Sequence, residues 1–121
     1  MVWHVVQINC DAIVDDRTFH QEFAAAFGFP KDYLGTREAW MLLLAKLDDV
    51  SNRVTEVYCD VGEVVTVELL NVASFAKRCP EEFTLCVEGI SYINWARLEE
   101  GMKPILALAF YGMQTYDLSN F

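Results

Sequence analysis

The sequence predicts an α/β fold in which three to four helices pack on a small, mainly parallel three-stranded sheet, with an added antiparallel hairpin strand. Short β-branched segments alternate along the chain with amphipathic helical segments. Residues 105–111 are almost entirely apolar, as a buried central strand is. The 121 residues are 54% hydrophobic. This composition predicts one domain with a core over residues 5–111 and a tail at 112–121.

The first half of the chain is predicted to hold one strand and two helices. Val5–Asn9 is short and β-branched and ends in polar residues, which is typical of a strand. Two aspartates at 15–16 precede three phenylalanines spaced four residues apart, which predicts a helix that ends at Gly28. A loop over residues 29–35 then leads into a second helix, Thr36–Leu47.

The second half is predicted to hold a hairpin, two helices and a last strand. Val54–Cys59 and Val64–Leu70 have strand composition and are separated by a short polar turn, which predicts the hairpin. Ala73–Arg78 predicts a helical turn. The segment Pro80–Glu100 begins with a proline and two glutamates, which suit the first turn of a long helix. Ile105–Tyr111 completes the sheet.

The charge balance restricts the class of partner. The chain has 9 Lys+Arg against 18 Asp+Glu, a formal net charge of −9. Direct nucleic-acid binding requires a basic face, so we expect none. No apolar run reaches the roughly 18 residues of a membrane span, so we expect no membrane partner. An acidic surface instead favours a basic protein partner that approaches under electrostatic steering.

The cysteines and histidines predict neither a metal site nor a cofactor. Cys10, Cys59, Cys79 and Cys86 form no Cys-x-x-Cys pair, and the two histidines stand sixteen residues apart. We interpret the cysteines as reduced, buried thiols, with disulfides or metal binding as the alternatives. The first residues show neither a basic segment nor an apolar stretch typical of a signal peptide, so we expect a cytoplasmic location.

Enzyme motifs are missing from the sequence, so we do not expect catalysis. The six glycines are isolated from one another, and no Gly-x-Ser-x-Gly motif occurs. His20 follows Phe19 in the first helix and is interpreted as an ordinary surface or boundary histidine. An enzyme that uses Asn94, Arg97 and a carboxylate stays as the alternative.

The second helix has two contrasting faces. At 100° per residue one face is apolar and is assigned to the core: Ala39, Trp40, Leu43, Leu44 and Leu47. The opposite face mixes acidic and apolar residues: Glu38, Met41, Leu42, Ala45 and Asp49. Either a neighbouring loop covers Met41 and Leu42, or this stripe binds a partner.

The long helix combines an apolar face with two polar residues. Its apolar face is formed by Phe83, Cys86, Val87, Ile90 and Ile93. Asn94 and Arg97 fall on the same side, and a buried polar group without a partner costs about 1–3 kcal/mol. We expect a structural hydrogen-bond clamp at these two residues, with a ligand-binding Arg97 as the alternative. Tyr92 and Trp95 point away from the core face.

Together these elements resemble the barstar family, the intracellular inhibitors of secreted ribonucleases. The segments that carry the resemblance are Val6–Asn9 with the helix after it, Phe29–Trp40, Val65–Leu69, and Ile93–Gly101 with Pro104–Phe110. The resemblance implies an inhibitor that fills a basic nuclease active site with its second helix and the preceding loop. The implied partner is a basic nuclease or toxin. The chain would be a monomer, with a homodimer or a non-inhibitory binding module on the same fold as the alternative.

The resemblance also assigns residues. Aligned without a gap from Pro30, Tyr33 matches the loop tyrosine and Glu38 the acidic residue near the helix start. Thr36 stands where an asparagine is frequent. Leu42 takes the place of the family's central aspartate, and Met41 that of the neighbouring tryptophan. Alignment on the loop glycine instead moves the acidic residue, so both registers stay open.

Overall fold

The computed structural model describes residues 4–112 and contains a three-stranded parallel sheet. The strands are β1 (His4–Asn9), β2 (Val65–Leu70) and β3 (Leu106–Tyr111), in the spatial order β1-β2-β3. Both neighbouring pairs are parallel. The predicted parallel α/β sheet is confirmed. Residues 113–121 of the predicted tail lie outside the described residues.

Four helices connect the strands, close to the predicted bounds: α1 (Asp16–Phe27), α2 (Arg37–Ala45), α3 (Val72–Arg78) and α4 (Pro80–Glu99). A capping box between Asp15 and Thr18 begins α1. Proline at the first position begins α4. A short 3-10 turn, Cys10–Ala12, follows β1. Among the helices of residues 4–112, none has the length and apolarity that crossing a bilayer requires.

One face of the sheet is buried and the other is more open. Val6 in β1 pairs in register with Val67 in β2, which pairs with Leu108 in β3, and this row faces the core. On the opposite face Val5 is half exposed, and the Gln7 side chain donates a hydrogen bond to a neighbouring glutamate. The parallel sheet is therefore covered mainly on one side.

The predicted hairpin strand Val54–Cys59 is wrong, because this segment forms no strand. Its backbone N–H groups bond to helix ends instead. The N–H of Glu56 donates to the carbonyl of Gly28 at 3.1 Å, and that of Val57 to Phe27 at 3.0 Å. These carbonyls end α1 and have no partner within the helix. The N–H groups of Glu56 and Val57 therefore bond to the end of α1 and do not pair with β2.

Gly28 makes this docking possible. It ends α1 with φ of 68°, a left-handed conformation that glycine adopts without strain. A side chain at this position would collide with Glu56. The segment 54–59 therefore crosses close over the end of α1.

Candidate functional site

The inner face of α2 packs against two other helices, α1 and α4. Trp40 is fully buried, with its ring centroid 5.6 Å from Phe19 and 5.4 Å from Phe23 in α1. On the other side, a Cβ added at Gly89 of α4 would lie 2.6 Å from the Trp40 ring. Glycine thus allows α4 to approach α2 closely. Leu44 is also fully buried.

The outer face of α2 is open to solvent. Leu42 is 60% exposed and Glu38 is exposed. Met41 and Ala45 are half-buried and pack against the edge of the core. The structure therefore leaves Leu42 uncovered within the described chain and covers Met41 in part.

Asp49 lies beyond the end of α2 and organises the next turn. Its Oδ1 accepts hydrogen bonds from the Ser51 backbone N–H at 3.1 Å and from the Ser51 hydroxyl at 2.7 Å. These bonds lower the pKa of the Asp49 carboxyl. Asp49 adds negative charge near the outer face, but α2 itself ends four residues earlier at Ala45.

The amino end of α2 is set by Thr36 and Tyr33. The Thr36 hydroxyl accepts from the Ala39 N–H at 3.2 Å and caps the helix. Tyr33 is half-buried, and its ring packs edge-on against Phe29 with centroids 4.8 Å apart. Its hydroxyl forms a hydrogen bond with His20 Nδ1. The loop that precedes α2 is thus tied to α1.

The interpretation of His20 as a surface or boundary residue is wrong, because His20 is only 4% exposed. Its Nε2 lies 3.5 Å from Asp16 Oδ1, one helical turn earlier. Burial lowers the His20 pKa, and the Asp16 charge opposes this in part. Burial also raises the pKa of Tyr33, and Asp16 adds to that shift. Burial of His20 depends on the loop that folds over α1, which helical periodicity does not reveal.

The carboxyl end of α2 is held by Arg97 of α4. Arg97 is 6% exposed and donates to the Ala45 carbonyl, the Lys103 carbonyl and both oxygens of Asp48. The shortest contact, Nη2 to Asp48 Oδ2, is 2.6 Å, and the pair is bidentate. Arg97 therefore joins α4, the end of α2 and the turn before β3.

Asn94 joins α4 to β3 in a similar way. Its Oδ1 accepts from the N–H groups of Ile105 at 3.0 Å and Leu106 at 3.2 Å, and its Nδ2 donates to the Leu106 carbonyl at 2.8 Å. The polar groups of Asn94 and Arg97 are thus engaged inside the fold. A catalytic hypothesis for Arg97 gains no support from this geometry.

A groove of about 760 Å³ lies between α2 and α4, beside the outer face of α2. Its lining combines apolar and charged side chains, including Arg37, Met41, Glu81, Leu85, Glu88 and Tyr92. Tyr92 and Trp95 are both more than half exposed, with ring centroids 5.7 Å apart. The sequence predicts that both aromatic side chains lie outside the core. It does not predict the groove, which Tyr92 lines, because α2 and α4 are distant in sequence.

The thiols and carboxylates do not assemble a metal site in the described part of the chain. All four cysteines are buried and free. Burial raises the pKa of Cys10 to about 12 and that of Cys59 to about 11. These two thiols are therefore protonated at neutral pH and are poor nucleophiles.

The fold and this surface define a small α/β protein that presents one helix face and an adjoining groove to solvent. A family model described as Barstar (barnase inhibitor) matches residues 3–106, and the chain belongs to the barstar family. The resemblance found in the sequence is confirmed. The comparison with curated proteins gives no match.

Proposed function

We propose that this chain inhibits a nuclease by covering its cationic active site with the outer face of α2 and the loop before it. The observation that carries the proposal is its membership of a family described as barnase inhibitors. The exposed outer face of α2 and the net charge of −9 support it. A nuclease cleft must bind polyanionic substrate, so it attracts an acidic protein.

The proposed interface has an apolar centre within a region of negative net charge. Residues 32–63, which include most of the loop and all of α2, contain seven acids and three bases, a net charge of −4, and one of these acids, Asp48, is paired with Arg97 inside the fold. Leu42, at the centre of the outer face, is apolar and exposed. The negative charge accelerates association, and the apolar centre supplies desolvation on binding. The partner that fits has an apolar contact point within a cationic cleft.

The groove between α2 and α4 extends this interface. Its charged lining is acidic on balance, with two glutamates against one arginine, and its apolar walls include Met41 and Tyr92. Tyrosine is enriched among residues that dominate binding energy. A basic nuclease with an aromatic or aliphatic side chain beside its cleft complements this surface.

The experiment begins with capture of the partner from extract of the native host on the immobilised chain. The captured protein is identified by mass, purified and assayed for nuclease activity with and without this chain. We expect stoichiometric inhibition. A captured protein that lacks nuclease activity, or a nuclease that stays active when bound, contradicts the proposal.

The interface is then tested with Leu42→Arg and Glu38→Lys, measured by calorimetry with the purified nuclease. Both variants should fold and bind more weakly, since each places positive charge against a basic surface. Val14→Arg and Glu99→Lys are matched controls at exposed positions outside α2 and its loop. Unchanged affinity in both interface variants would place the site elsewhere.

The exposed Leu42 beside Met41 also supports self-association as a second candidate function. The net charge of −9 opposes it, because two copies repel each other. We infer a monomer that acts in the cytoplasm, where thiols such as the four buried free cysteines stay reduced. Mass measurement in solution separates the two: a stable dimer that Leu42→Arg dissociates would favour self-association.

A further inference from the structure

His20 is a buried titratable group that the proposed interface does not itself use. It is 4% exposed, yet both ring nitrogens face polar atoms of other residues. One partner, Tyr33, belongs to the loop that precedes the binding helix. The ring therefore connects α1 to the part of the molecule proposed to contact the nuclease.

The two partners determine the tautomer. Asp16 Oδ1 lies 3.5 Å from Nε2, and a carboxylate only accepts hydrogen bonds. This contact favours the neutral tautomer that carries its hydrogen on Nε2. In that tautomer Nδ1 is an acceptor for the Tyr33 hydroxyl. In the protonated ring Nδ1 carries a hydrogen, so the bond from Tyr33 must reverse or break.

The surroundings oppose a charge on the ring. Phe19 lies edge-on to it at 5.2 Å between centroids. The charged groups near it are Asp16 on its own helix, and Arg17 and Lys31, which line the same cleft. Farther along, Glu81 and Glu82 lie in the first turn of α4, and burial, Glu81 and Asp16 together raise the pKa of Glu82. Only Asp16 contacts the ring directly among these.

We propose that His20 is a positioning residue: its neutral ring holds Tyr33 and the loop before α2 in the binding conformation, and protonation releases them. The proposal rests on the proposed function, because Tyr33 matters for binding only if this loop contacts the nuclease. Gly35, in the same loop, also packs against His20, since a Cβ there would lie 3.7 Å from its side chain. The loop thus covers the ring at two points.

The pH dependence has a defined sign. In the closed state, in which the loop before α2 covers the ring as in this structure, the His20 pKa lies below the ordinary 6.5, because burial disfavours the charged ring. The closed loop is then fully stabilised above pH 6.5 and loses this stabilisation as the pH falls through the His20 pKa. Each unit by which the pKa is lowered corresponds to about a tenfold decrease, at low pH, in the ratio of molecules with a closed loop to molecules with an open loop.

The first experiment uses the free chain. Nitrogen NMR of the imidazole, recorded through a pH titration, should show a neutral ring protonated at Nε2. Tyr33→Phe removes the hydrogen bond to neutral Nδ1 and should raise the titration midpoint of His20 by about 0.7 pH unit. A ring protonated at Nδ1, or a midpoint that is unchanged or lowered in Tyr33→Phe, would overturn the proposal.

The second experiment measures inhibition of the captured nuclease at pH 7.5 and pH 5.5. Affinity of the wild type should fall at pH 5.5 by a larger factor than that of Tyr33→Phe, so that the two converge. His4→Gln removes the other histidine and should keep the wild-type profile. Equal profiles for wild type and Tyr33→Phe would refute the positioning role. A chain that inhibits no nuclease refutes the proposed function instead, and leaves the free-chain titration intact.

Discussion

The two ends of α2 are fastened by different chemistry. At the carboxyl end, the buried Arg97 guanidinium binds Asp48 in bidentate fashion and also the Ala45 carbonyl. At the amino end, the side chain of Tyr33 in the loop is tied to α1 by a hydrogen bond with His20. A guanidinium keeps its charge under all ordinary conditions, whereas the buried imidazole of His20, whose pKa burial lowers, gains a proton at acidic pH.

This difference separates a fixed end from an adjustable one. The carboxyl end belongs to the scaffold, since Arg97 also binds the turn before β3. The amino end adjoins Glu38 and the exposed face, where a partner is proposed to bind. A helix anchored in this way can keep its place in the core while its leading loop responds to pH.

The largest expected effect follows from removal of the fixed end. Arg97→Ala leaves Asp48 as an unpaired carboxylate that is only 12% exposed. Loss of one partner of a buried ion pair costs about 3–5 kcal/mol. Urea unfolding should show this loss, whereas Arg53→Ala, which removes an exposed cation, should cost less than about 1 kcal/mol. Comparable losses for both would remove the distinction between the two kinds of anchor.

The contact between α2 and α4 tests the same fixed region at a second point. Gly89→Ala brings a Cβ within 2.6 Å of the Trp40 ring, and overpacking of this kind costs about 1–3 kcal/mol. The higher helix propensity of alanine offsets up to about 1 kcal/mol of this cost. The exposed Ser91→Ala in the same helix should change stability by less than about 0.5 kcal/mol. Thermal unfolding of both variants measures the difference. A Gly89→Ala variant that is more stable than the wild type would show that Trp40 and α2 move aside at this contact.

The adjustable end should give a smaller and pH-dependent effect. Tyr33→Phe should cost about 1 kcal/mol at pH 7.5, since it removes one hydrogen bond. The cost should shrink below pH 6.5, because a protonated His20 no longer accepts the bond from Tyr33 and its buried charge favours opening of the loop. Urea unfolding at a series of pH values checks this. A cost that is the same at pH 7.5 and 5.5 would show that the two ends do not differ in kind.

The smallest effect is expected on the outer face. Leu42→Ser alters a side chain that is 60% exposed, so the free energy of unfolding should change by no more than about 0.5 kcal/mol. Urea unfolding of the isolated chain gives the value. A loss well above 1 kcal/mol would show that Leu42 is covered within the chain and does not belong to a free binding surface.

The elements that could be predicted from the sequence are those fixed by local patterns. Phenylalanine spacing and caps located α1, and the 100° periodicity separated the buried Trp40 from the exposed Leu42. The prediction of a hairpin strand was wrong because N–H groups of that segment bond to the carbonyls that end α1, which lie far from it in the sequence. Burial of His20 and the groove beside Met41 also depend on how distant segments meet.

The four buried thiols have a practical consequence for labelling. A maleimide reacts with thiolates, and burial keeps Cys10 and Cys59 protonated, with pKa values of about 12 and 11. A cysteine introduced at the exposed Glu99 would react first, so a fluorophore can be attached without removing the native residues. Slow labelling of Cys59 would then report how often the segment that crosses the end of α1 lifts away.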